Sequence, residues 1–148
     1  MNGYETLNKL LQIKKNEMEE YQVAYNRAQD FFESVATDLY DLLKEKEELF
    51  ASQQDKMKKG LQVEMLRQFH NYEATLISKE EKVQLKVHQA RTNMQKKQEQ
   101  LKAAHTEVKK YEKLIEHRKK EMKDAELHKE TNFLDEISVQ QYARSNQG

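Results

Sequence analysis

Apolar side chains recur every 3.5 residues through most of this chain, and that period limits the fold more than any other property of it. Steps of four and three from Leu7 give Leu7, Leu11, Lys14, Met18, Tyr21, Tyr25, Ala28, Phe32, Val35, Leu39, Leu42, Lys46 and Leu49, of which eleven are apolar. A second frame runs Leu66, Phe69, Glu73, Leu76, Glu80, Val83, Val87, Ala90, Met94, Lys97, Leu101, Ala104, Val108, Tyr111, Ile115, Arg118, Met122 and Ala125, of which fourteen are apolar. A strand would alternate at a period of two. A period of 3.5 belongs to helices wound in a left-handed supercoil, so two long helices are predicted.

Between the frames stands Lys-Met-Lys-Lys-Gly, ending at Gly60, the one glycine away from the termini. Lysines suit the negative end of a helix dipole, and glycine readily takes the left-handed conformation that ends a helix. The expected fold is all-α: one domain over residues 1–148, a long two-helix antiparallel coiled-coil hairpin with the second helix overhanging the first. Helix one is placed at about 5–57, the turn at about 57–62 and helix two at about 62–142, followed by a short disordered tail. Residue i is then expected to face roughly residue 119 minus i.

Charge supports the fold-back. From Asn16 to Glu48 ten acids stand against three bases, whereas from Asn71 to Ala103 seven bases stand against four acids. Opposite bias along two facing segments selects register and orientation more than it adds stability. At a rise of about 1.5 Å per residue the second helix outreaches the first by some thirty residues. In that overhang Phe133, Leu134 and Ile137 shift the apolar stripe around the helix, leaving it open to a partner or to fraying.

Chemistry is excluded by what the chain lacks. With no cysteine there are no disulfides, thiol nucleophiles or cysteine-held metals. The histidines, His70, His88, His105, His117 and His128, are never three or four apart, so no helical metal pair forms. No phosphate-binding glycine loop or nucleophile elbow occurs, and a two-helix hairpin offers no water-excluding pocket for catalysis. No catalytic residue, cofactor or metal is expected. Bases and acids balance at 26 each, which argues against nucleic-acid binding. The longest apolar run is three residues, so neither a signal peptide nor a membrane span is predicted, and a cytoplasmic location is expected.

Two features exceed what a hairpin requires. Ala36, Tyr40, Leu43 and Phe50 form a second stripe beside the seam, expected to face Met65, Phe69, Tyr72, Leu76 and Ile77. Two readings stand: a docking surface for a partner, or a thickened seam that packs on itself or on a second copy. From Lys109 to Lys123 seven bases stand against three acids, either a meeting point for an acidic partner or a solvated face.

Three stretches carry a family resemblance: YQVAYNRAQDFFESVATDLYDLLKEKEEL from Tyr21 to Leu49, VKKYEKLIEHRKKE from Val108 to Glu121, and LDEISVQQYAR from Leu134 to Arg144. Together with the length and the single glycine-containing turn, they make the chain resemble the flagellar FliJ family over nearly its whole extent. LDEISVQQYAR is the most telling, because it is not heptad filler. The resemblance implies a stalk-like coiled coil of the bacterial flagellar type III export apparatus, similar to the central stalk of rotary ATPases. It implies three partners: the hexameric export ATPase, the cytoplasmic ring of the export gate, and export chaperones. The ATPase-facing end would comprise Leu7, Leu11, Tyr111, Ile115, Leu134, Asp135, Glu136, Ile137 and Arg144. The gate-facing end would comprise Tyr40, Leu43, Phe50, Phe69, Tyr72 and Leu76. The expected location is the cytoplasm, peripherally associated with the membrane-bound apparatus. An escort chaperone for export substrates, and a self-associating spacer, are the alternatives.

Overall fold

A computed structural model describes residues 3–60 and 62–147, with the side chain of Gln147 excepted. Two helices account for nearly all of it: α1, Gly3–Lys58, and α2, Val63–Gln147. They pack against each other as an antiparallel hairpin, and no strand occurs among the described residues.

The reversal is built as the lysine-glycine signature implies. The Lys59 and Gly60 amides donate to the carbonyls of Lys56 and Met57 at 3.2 and 3.4 Å, satisfying two of the last carbonyls of α1. Gly60 takes a φ of 85°, the left-handed conformation in which a Cβ would be strained. Lys56 and Lys58 lie in the last turn of α1. Part of the expected turn, Leu61, lies outside the described residues.

By contacts the chain divides into two compact units, one of residues 19–103 and one of residues 1–18 with 104–148. In the first, Val35, Val87 and Ala90 form a buried cluster flanked by Phe32, Leu39 and Val83, all of them seam positions. Leu76 is wholly buried in the same unit. In the second, Ala104, Val108 and Ile115 are buried, and Leu7, Leu10, Leu11 and Met18 of α1 are half-buried.

The heptad frames describe the seam almost residue by residue. Tyr21 is the only member of the first frame that is exposed. In the second frame every position from Phe69 to Ile115 is buried or half-buried, while Leu66, Arg118, Met122 and Ala125 are exposed. Lys14, Lys46 and Lys97 occupy seam positions half-buried, which long aliphatic stems permit while the ammonium groups reach water.

Two expectations need adjustment. The facing pairs Tyr4 with Lys119 and Phe32 with Arg91 place residue i opposite roughly residue 123 minus i, about four positions beyond the expected register, and the long Lys46 side chain reaches further still, to Glu80. Part of the offset comes from the position of the reversal, which falls between Lys58 and Val63 and so is centred just after Gly60. The second difference is at the C-terminus, where α2 continues to Gln147 rather than giving way to a disordered tail near residue 142. No proline or glycine interrupts the chain between Tyr142 and Gln147, and Arg144 in the last turn suits the dipole there.

Candidate functional site: the exposed faces of the hairpin

The seam leaves two flanks on the residue 19–103 unit, and they differ in chemistry. On α1 the positions just before the seam residues include Phe31, Ser34, Asp38, Asp41 and Glu45. On α2 the corresponding positions include Tyr72, Lys79, Lys82, Lys86 and Asn93. Antiparallel packing puts these two sets on one flank, where Phe31, Ser34 and Asp38 share a groove with Lys86, Gln89 and Asn93. The Tyr72 hydroxyl donates to the Glu45 carboxylate on this same flank. An acidic ridge thus lies along a basic ridge.

The opposite flank is richer in apolar side chains toward the turn. It carries Ala36, Tyr40, Leu43 and Phe50 from α1 and Ala74 and Ile77 from α2, the positions just after the seam. Tyr40 is 65% and Phe50 59% exposed. Leu43, Leu49 and Phe50 line a notch of about 350 Å³ together with Lys46, Glu47, Gln53 and Glu73. Lys46 is already engaged, with its ammonium 3.0 Å from Glu80.

The six residues proposed for the gate-facing end therefore do not form one surface. Tyr40, Leu43 and Phe50 lie together and exposed. Tyr72 lies on the charged flank with Glu45, where that hydrogen bond and partial desolvation raise its pKa above the ordinary tyrosine value. Leu76 is fully buried and offers no surface, since it is a seam residue. Phe69 is half-buried, with the Lys56 ammonium 5.3 Å from its ring centroid. The sequence-based reading passed over Glu47 and Glu73 as site residues. Glu73 carried a signal all the same, as one of the few acids interrupting the second heptad frame.

The residues proposed for the ATPase-facing end also separate. Ile115 is buried and Leu7, Leu11 and Tyr111 are half-buried, so their apolar surface is largely taken up by the seam. Gly3 lies against the Arg118 guanidinium and the Lys119 ammonium lies 5.9 Å from the Tyr4 ring centroid, which marks where α1 begins beside α2. Beyond Lys119, α2 is exposed nearly throughout, Ile137 alone among the described side chains being half-buried. Leu134, Asp135, Glu136 and Arg144 are exposed there, as are Phe133, Val139 and Tyr142. The basic stretch has its own shallow groove, lined by Lys109, Lys110, Lys113, Leu114 and His117. Among the described residues no group of histidines and carboxylates has metal-site geometry, and no helix is long and apolar enough to cross a membrane.

The family model described as flagellar FliJ protein matches residues 4–147. The flagellar FliJ protein of Bacillus subtilis (strain 168) is 32% identical over 134 residues, covering 90% of this chain and 91% of the relative. No solved structure matches.

Proposed function

The chain belongs to the flagellar FliJ family, and from that membership we propose that it is a non-enzymatic component of the flagellar type III protein export apparatus. In this reading the helix pair is a stalk-like coupler between two assemblies, the hexameric export ATPase and the cytoplasmic ring of the export gate. It works in the cytoplasm, at the periphery of the membrane-bound apparatus. The seam provides stiffness and the unpaired surfaces provide recognition.

The observation that carries the proposal is the exposed stretch of α2 beyond Lys119, where Phe133, Leu134, Val139 and Tyr142 lie exposed on the helix, with no packing partner among the described residues. A lone helix in water draws little stability from tertiary packing, so large apolar side chains kept on it favour a partner surface. The ATPase is assigned to this segment. Its exposed charges, Asp135, Glu136 and Arg144, would rim the contact.

The gate ring is assigned to the flank of Tyr40, Leu43 and Phe50. The same flank favours a second reading, an escort that holds export chaperones or their clients, because exposed aromatics beside a thin hairpin suit either partner.

Deleting residues 134–148 tests the ATPase assignment. Loss of co-purification with the export ATPase and of any stimulation of its turnover is expected. Unchanged association and stimulation would refute it. The flank is tested by Phe50→Ala, which should weaken capture of the gate ring's cytoplasmic domain. Capture of chaperone clients with the gate ring absent would favour the escort.

A further inference from the structure

The notch beside Phe50 combines apolar walls with unneutralised acid. Leu43, Leu49 and Phe50 supply the walls, and Glu47 and Glu73 supply carboxylates at the rim. Its one base is spent, because the Lys46 ammonium lies 3.0 Å from Glu80. Among the described residues neither Glu47 nor Glu73 has an ion-pair partner. Glu73 is half-buried at a seam position, one helical turn from the wholly buried Leu76. An anion entering here would meet two like charges. A purely aliphatic side chain would cover both carboxylates without pairing them.

We propose that this notch receives a long-stemmed cationic side chain, an arginine or lysine presented by a helix of a partner protein. The stem lies along Leu43 and Leu49, the cationic head reaches Glu73 and Glu47, and the Phe50 face is open to cation–π contact. The neighbouring exposed Tyr40 extends the apolar footprint to the helix that carries the cation. The inference rests on the reading of this flank as a partner surface and adds what the partner must present: a basic residue within an apolar stripe, rather than an acidic or wholly apolar helix.

The test uses the full chain and two small probes, n-butylguanidinium and n-butanol, followed by side-chain NMR. The guanidinium should shift the Leu43 and Leu49 methyl signals and the Phe50 ring signals saturably, and butanol at equal concentration should not. Glu73→Gln, which keeps size and removes charge, should weaken the guanidinium response by about two- to fivefold, the range of a partly exposed charge pair. Glu47→Gln gives a second variant, at an exposed position, should the first perturb folding. An equal response to butanol, or a response unchanged in both variants, overturns the proposal. So does a Phe50-dependent dimer in sedimentation, which would give the notch to a second copy. Because the probes report on the notch alone, failure of the gate ring to bind is read separately from failure of the notch to take a cation.

Discussion

The Lys46 ammonium lies 3.0 Å from a Glu80 carboxylate oxygen, and both side chains occupy seam positions that are apolar in neighbouring turns. Such a pair gives up hydrophobic burial. What it adds is discrimination, because sliding α1 by a heptad would part Lys46 from Glu80, whereas an all-apolar seam would fit nearly as well after the slip.

That role separates two kinds of variant. Lys46→Leu alone leaves Glu80, 17% exposed, without its counter-charge, and should cost about 1–2 kcal/mol in denaturant unfolding. Lys46→Leu with Glu80→Leu should restore or raise the midpoint. It should also permit slipped registers, each displaced by about 10 Å along the helix. Spin labels at Ser34 and Gln89, which line one groove, should report a single short distance in the parent. A second population is expected in the double variant. A single distance in both would remove the register role.

Burial and exposure alternate over a few residues, and truncations should follow that pattern. Leu76→Ala opens a hole at a wholly buried position and should destabilise by about 2–5 kcal/mol. Tyr40→Ala, at a side chain 65% exposed, should change stability by no more than about 0.5 kcal/mol while weakening any partner held by that flank. Thermal unfolding compares the two.

The seam was legible in the sequence because a 3.5-residue period leaves helices one way to bury their apolar side chains, and the frames named in advance nearly every residue that is buried between Leu7 and Ile115. The register was legible only to within about four residues. Turn chemistry located Gly60 but not where α2 would begin. Flank assignment was less accessible still. Tyr72 stands one position before a seam residue and Ile77 one position after, a small offset that turns them toward opposite flanks on a helix. Leu76 was named as a surface residue although its own frame put it in the seam, and there the period was the better guide than residue type.

Gly60 is where a backbone conformation, rather than packing, holds the reversal. Its φ of 85° is one that an L side chain pays to adopt, although nothing within 4 Å would meet an added Cβ. Gly60→Ala should therefore destabilise through strain alone, by about 1 kcal/mol. Gly60→Asn should recover part of that loss, since asparagine tolerates the left-handed region better. Equal stability of the parent and both variants would show that the chain reverses without the left-handed residue.

Alkaline titration isolates the contact between Tyr72 and Glu45. The Tyr72 hydroxyl donates to the Glu45 carboxylate, and an ionised phenol would lose that hydrogen bond and meet a like charge, so the pKa is raised above 10.0. The folded chain then holds this proton more tightly than the unfolded chain. Any stabilisation from the contact is fully present below the ordinary tyrosine pKa and is lost as pH rises through the raised value. Of the seven tyrosines, Tyr72 should be the one whose tyrosinate absorbance appears at higher pH in the parent than in Glu45→Gln. The difference should vanish in a background carrying Tyr72→Phe. An alkaline titration curve that Glu45→Gln leaves unmoved would mean that the hydroxyl and carboxylate are not joined in solution.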